Sequence, residues 1–147
     1  LNSLIAAHIV LINGDKDTVF ERKILNVNKN LKIFYSFYKP LNIENFRNKN
    51  LMAIAAIGNP SNFFNLLEEN NLIVKKKLIY PDHYEFSKKE IENIFDEAKT
   101  NNYNIIVSEK DYFKLKDYKS EKLDYLKVSL VIKELEDFIK EIELIYA

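Results

Sequence analysis

The chain contains no cysteine and no tryptophan, and only two glycines and three prolines among its 147 residues. Without cysteine there is no disulfide scaffold and no thiolate-bound zinc or iron–sulfur centre, which suits a reducing compartment. A net charge is also missing: 22 Lys and Arg face 22 Asp and Glu, a formal balance of zero. The basic excess of a dedicated nucleic-acid binder is therefore absent in bulk. No apolar run approaches the roughly 18–20 residues of a membrane span, and the opening residues lack the layout of a signal peptide. Gly14 and Gly58 stand too far apart to build G-x-x-x-x-G-K-[ST], so this sequence holds no loop that cradles a triphosphate. It also lacks H-E-x-x-H, G-x-S-x-G and G-x-G-x-x-G.

What is present is a foldable chain. Hydrophobic residues make up 47% and aromatics 13%, which excludes a disordered or collagen-like chain. A domain of this size buries roughly 70% of the surface its unfolded chain exposes. The chain opens on Leu1, in a segment that already reads as structure, and its one methionine is Met52. It reads as a possible fragment.

Ile5–Ile12 is a short apolar run closed by Asn13-Gly14-Asp15 and predicts a strand, with His8 inside it as a structural histidine. Residues 15–30 are polar and read as a loop with at most a weak strand. Leu31–Tyr38 predicts a second strand, ending at Pro40, and 41–50 a polar connection. Leu51–Ile57 is continuously apolar, as in a parallel strand covered on both faces. Asn59 and Pro60 then read as N-cap and first residue of a helix to about Glu69. Leu72–Tyr80 predicts a strand stopping at Pro81. Ser87-Lys88-Lys89-Glu90 is a capping box opening a helix to about Asn101. Asn104–Val107 and Leu123–Ile132 predict two more strands. Glu134–Tyr146 reads as an amphipathic helix with Leu135, Phe138, Ile139, Ile142 and Ile145 inward, the alternative being an interfacial helix. Alternating strands and helices argue for an α/β fold with a mainly parallel sheet and flanking helices.

Ligands of open parallel sheets bind beyond the carboxyl ends of the strands. That places Gly58-Asn59-Pro60, Asp82-His83-Tyr84 and Ser108-Glu109-Lys110-Asp111 on one rim. His83 is a side chain whose charge changes near neutral pH, beside Asp82; it reads either as a proton-handling group or as a surface turn histidine. Lys110 reads either as a point charge for a phosphate or as a lysine paired with Glu109 or Asp111. Lys75-Lys76-Lys77 reads either as charge protecting an edge strand or as a lipid-phosphate contact.

Taken together, Ile57-Gly58-Asn59-Pro60 with Phe63-Phe64, Tyr80-Pro81-Asp82-His83-Tyr84, and Val107-Ser108-Glu109-Lys110-Asp111 with Leu115 resemble the C-terminal half of the tetraacyldisaccharide 4'-kinase family. The family pattern runs G-I-G-N-P-x-x-F-F, F-P-D-H-[HY]-x-[YF] and T-[TS]-E-K-D. Ile9–Gly14 also resembles its V-I-V-N-G strand. Tyr80 stands where Phe is usual, Tyr84 where a second His is frequent, Ser108 where Thr is frequent, and Ala56 where a small residue such as Gly is common.

The resemblance implies a Rossmann-like C-terminal domain of a two-domain P-loop kinase. Residues 1–40 would then be the tail of the N-terminal kinase domain with connecting strands, and 41–147 the C-terminal α/β domain. It implies transfer of the ATP γ-phosphate to the 4'-hydroxyl of a lipid A disaccharide precursor at the cytoplasmic face of the inner membrane. ATP and Mg²⁺ would sit mainly on an N-terminal domain outside this sequence, with no metal ligand here. His83 would pair with a catalytic aspartate of that domain, and Asp82 would orient the loop or the ring. Gly58, Asn59, Glu109, Lys110 and Asp111 would shape the cleft for substrate or nucleotide. On this view the chain alone is inactive. The competing readings are a non-catalytic α/β ligand-binding module and a degraded gene remnant.

Overall fold

The structure is a computed structural model, and it describes residues 2–118 and 120–146. In chain order the elements are β1 (Ile9–Asn13), α1 (Thr18–Val27), β2 (Lys32–Pro40), β3 (Leu51–Ala55), α2 (Pro60–Glu69), β4 (Val74–Ile79), α3 (Lys88–Thr100), β5 (Asn104–Ser108), α4 (Glu109–Leu115), β6 (Leu123–Leu126), β7 (Val128–Ile132) and α5 (Leu135–Tyr146). They divide into two compact units, Leu1–Lys39 with Ser129–Ala147, and Pro40–Val128. The stretch from residue 129 onward thus groups with the first unit, whereas the sequence reading kept it with 41–128.

The first unit holds a three-stranded sheet in the order β1-β2-β7. β1 and β2 run parallel, Ile9 opposite Lys32 and Asn13 opposite Ser36. Between them lies α1, where the sequence suggested a loop. Its signal is Asp17, whose carboxylate accepts from the Val19 and Phe20 N–H groups as an N-cap, with Ile24 as the helix's buried residue. β1 starts four residues later than expected. The Asn28 side-chain amide donates to the carbonyls of Leu4, Ile5 and Ala7, holding that stretch off the ladder. His8 consequently lies outside the strand and is exposed, not enclosed. Gly14 has φ +136°, a conformation a side chain adopts only with strain. α5 differs from expectation as well. Phe138 packs edge-on to Phe34 at 5.2 Å, but Leu135, Ile139 and Ile145 are 50%, 45% and 42% exposed, so the stripe is not buried in its unit.

The second unit is built on an all-parallel sheet in the order β4-β3-β5-β6. Central β3 is wholly buried, and its residues alternate between two cores. Leu51, Ala53 and Ala55 face Phe63, Phe64 and Leu67 of α2, with Ile43 and Phe46 from the preceding connection. Met52 and Ile54 face Ile91, Ile94 and Ala98 of α3 and Leu115 of α4. Each of the Leu, Ile, Met and Phe side chains among these contributes roughly 1.5–3 kcal/mol by leaving water. The α/β fold with a parallel sheet and flanking helices is therefore as expected, and the uninterrupted apolar run of β3 follows from having helices on both faces. β4 forms an edge, where Lys75 and Lys77 are exposed and Lys76 is half-buried. Lys76 pairs with Glu97 and Lys77 with Glu68, as a charged edge strand would.

The expected strand Leu123–Ile132 is two strands in two sheets. Asn42 ends the first: its amide donates to the Tyr125 carbonyl at 3.0 Å and accepts from the Lys127 N–H at 2.9 Å. These side-chain bonds take up backbone groups that a continuing ladder would need.

Candidate active site

The carboxyl ends of β3, β4 and β5 converge through side chains of residues 56–111. Gly58 follows β3, with Asn59 capping α2 by accepting from the Asn62 N–H at 3.3 Å. β4 is held to β3 up to its end, where the Tyr80 N–H donates to the Ala55 carbonyl at 2.9 Å. The chain then turns: the Tyr84 N–H donates to the Pro81 carbonyl at 3.1 Å, and His83, third in that turn, has φ +60°. β5 leads without a loop into α4, a short helix that the sequence reading left as a rim loop. Ser108 is its N-cap, accepting from the Asp111 N–H at 3.2 Å.

Asp82 is the meeting point. Its Oδ1 accepts from Lys110 Nζ and from the His83 N–H, both at 2.9 Å. Its Oδ2 lies 3.7 Å from His83 Nε2 and would lie 3.3 Å from a Cβ placed on Gly58. Glycine at position 58 thus leaves room for a carboxylate in close approach and is not called for by a positive φ. The Lys110 hydrogen bond, foremost, and that from the His83 backbone hold the Asp82 carboxyl below its ordinary pKa. The His83 side chain is 78% exposed. It stands just past the end of β4, with Asp82 beside its ring. Asn59 and Glu109 are exposed on the same rim.

Asp111 takes a different place from the cleft-wall carboxylate expected of it. It is fully buried. Its Oδ2 accepts from the Ala56 N–H at 3.0 Å and the Ser108 hydroxyl at 2.8 Å, and its Oδ1 faces Lys114 Nζ at 3.4 Å. Its oxygens are occupied inside the protein, bracing the end of β3 against the start of α4. A buried carboxylate persists only with such partners.

Lys114, and the reach of Tyr84 to Glu90, have no signal in the sequence. Lys114 Nζ also donates to the Tyr84 carbonyl at 3.3 Å. The Tyr84 hydroxyl donates to Glu90 Oε1 at 2.6 Å, and its ring lies 4.9 Å from Tyr80 and 5.2 Å from Phe86. Glu90 completes the expected capping box, accepting from the Ser87 N–H at 2.9 Å while the Ser87 hydroxyl accepts from the Glu90 N–H. The bonds from Ser87 and Tyr84 hold Glu90 below its ordinary pKa, and the same contact pushes Tyr84 up. The box was legible from spacing; the reach of Tyr84 to it was not.

A parallel sheet covered by helices on both faces, with an acid, an imidazole and an ammonium group gathered at its carboxyl edge, defines the class as an α/β domain, with these groups at the edge where open parallel sheets bind ligands. The chain belongs to the tetraacyldisaccharide-1-P 4'-kinase family, whose profile matches residues 1–144. It is 36% identical over 135 residues to the tetraacyldisaccharide 4'-kinase of Pelagibacter ubique, spanning 90% of this chain and 43% of the relative. With the Bartonella quintana protein of the same name it shares 30% identity over 132 residues, 90% of this chain and 38% of the relative. The chain thus spans less than half the length of these relatives. A crystal structure of LpxK from Aquifex aeolicus in complex with ATP has the same fold, with a TM-score of 0.53 at 17% identity, over 95% of this chain and 52% of that one.

Proposed function

We propose that this chain is the C-terminal part of a tetraacyldisaccharide 4'-kinase, transferring the ATP γ-phosphate to the 4'-hydroxyl of a tetraacyldisaccharide 1-phosphate. One observation carries the reading: the Asp82–His83 pair stands exposed at the strand ends, pinned by Lys110 and admitted by Gly58. Membership of the family supports the reaction, and the ATP in the Aquifex structure supports the phosphoryl donor.

Phosphoryl transfer depends chiefly on positioning and on stabilising charge. In this reading His83 takes the proton of the attacking hydroxyl, together with an aspartate from the part of the protein that this chain does not span. Asp82 holds the turn and the ring in place. Gly58, Asn59, Glu109 and Lys110 line the approach, and residues 1–40 continue the nucleotide-binding half. Mg²⁺, which the family resemblance implies, has no donor set among the described residues. Among the described residues no three His, Asp or Glu side chains converge, and the rim carboxylate of Asp82 is paired with Lys110. We assign the ion and the triphosphate to the remaining length of the kinase. No described helix is long and apolar enough to cross a membrane, and we place the kinase peripherally on the cytoplasmic face of the inner membrane, where its lipid acceptor lies.

The test is His83→Ala in the full-length kinase. It lowers kcat roughly 10²–10⁴-fold with little change in the KM for ATP, the range of general-base catalysis. Unchanged kcat overturns the assignment. The purified 147-residue chain turns over no ATP, and activity returns when the N-terminal part is added. Tight nucleotide binding by the chain alone favours a binding module instead.

A further inference from the structure

His83 adopts a left-handed conformation, φ +60°, at the third position of its turn. For a residue with a β-carbon this costs about 1 kcal/mol or more, so it persists only where the surroundings impose it. On the upstream side Asp82 accepts the His83 N–H and is itself held by Lys110. The downstream side has its own restraint. The Tyr84 carbonyl, which belongs to the peptide next after that of His83, accepts from Lys114 Nζ at 3.3 Å. Lys114 lies one turn beyond Lys110 on α4 and is only 28% exposed, so it is not a freely solvated surface lysine. Its ammonium is aimed by Asp111 Oδ1 at 3.4 Å, and Asp111 is fixed from the other side by Ala56 and Ser108. Holding a lysine in one rotamer costs up to about 2 kcal/mol of side-chain entropy, which these two acceptors offset.

We propose that Lys114 is a positioning residue for His83: seated by buried Asp111, it grips the Tyr84 carbonyl and keeps the turn wound so that the imidazole stays beside Asp82 at the strand ends. The link runs from the end of β3 through Asp111 and Lys114 to the turn after β4. It brings the rigidity of the central strand to a residue whose own backbone is strained. Tyr84 is restrained at its other end by Glu90, so its peptide lies between two fixed points. Mispositioning a reacting group by about 1 Å costs on the order of 10²-fold in rate, which sets the scale of the effect. The inference rests on the reading of His83 as the proton acceptor, and the experiment separates the two.

A double-mutant cycle in the full-length kinase compares the parent, Lys114→Met, His83→Ala and the double variant. Lys114→Met lowers kcat roughly 10- to 100-fold and leaves the KM for ATP unchanged. In the His83→Ala background the same substitution has no further effect, because there is no ring left to position. Lys114→Arg, which keeps a cationic donor, restores most of the rate. An equal loss in both backgrounds overturns the proposal, since a lysine that merely stabilises the fold acts in both. So does an unchanged kcat for Lys114→Met. If His83→Ala itself leaves kcat intact, the reading of His83 fails first and the positioning role fails with it. Thermal melting accompanies each variant; should Lys114→Met unfold at the assay temperature, Lys114→Gln takes its place in the same cycle.

Discussion

The ammonium of Lys110 donates to Asp82 Oδ1 at 2.9 Å across 28 residues of sequence, tying the first turn of α4 to the turn that follows β4. Because the same oxygen accepts the His83 N–H, loss of the lysine loosens the histidine as well as the aspartate. The consequences extend to pH, to neighbouring side chains and to activity.

Asp82 titrates below its ordinary value of 3.8 in the folded protein. Its folded pKa is depressed, so its contribution to stability is present above about 3.8 and fades as pH falls through the lower folded value. Lys110→Met removes the foremost cause of that depression. We expect the urea midpoints of parent and variant to differ at pH 7 and to draw together as pH falls through the lowered pKa of Asp82, with Asp82 in the variant titrating nearer its ordinary value by NMR.

Gly58→Ala places a methyl group 3.3 Å from Asp82 Oδ2. Asp82 is partly exposed and can yield, so we expect a stability change within about 0.5 kcal/mol. Activity is the sensitive readout. A displaced carboxylate moves the His83 turn, and kcat falls on the order of tenfold or more while the melting temperature holds. An equal effect on both shows instead that Gly58 serves only the fold.

Asp111→Ala and Glu109→Ala separate the two acids of α4. Asp111 is buried with Ala56, Ser108 and Lys114 as partners, and its removal leaves the buried Ala56 N–H without its acceptor and Lys114 without its carboxylate. We expect a loss of about 3 kcal/mol by chemical denaturation. Glu109 is exposed, and its substitution should stay within about 0.5 kcal/mol.

Ser87→Ala removes the N-cap of α3 and one side of the capping box. We expect destabilisation of about 1 kcal/mol. Ser87 is also the foremost cause of the lowered Glu90 pKa, so that carboxyl should titrate closer to 4.5 in the variant.

Much of the second unit was legible because its signals are local. An unbroken apolar run such as Leu51–Ala55 has one explanation at that length, and S-x-x-E makes its bonds within four residues. The rim followed from the rule for parallel sheets, and Asp82, His83, Gly58 and Lys110 do meet there. The first unit was read less well. The polar surface of α1 hid a helix that Asp17 caps, and Asn28 shortens β1 through contacts 21 to 24 residues away. The division of Leu123–Ile132 also depends on a distant residue, Asn42, whose bonds to Tyr125 and Lys127 span 83 and 85 positions.

The sequence by itself determined the α/β class, the two-faced central strand, the capping of α2 and α3 and the residues gathered at the carboxyl edge. Each of these follows from hydrophobic period or from hydrogen bonds between near neighbours. Only the tertiary structure decided that Asp111 turns inward while Lys110 turns outward, that Gly58 makes room for a carboxylate, and that Lys114 reaches the Tyr84 carbonyl. Those outcomes depend on which groups lose water together when strands distant in sequence align, and a one-dimensional pattern carries no record of that.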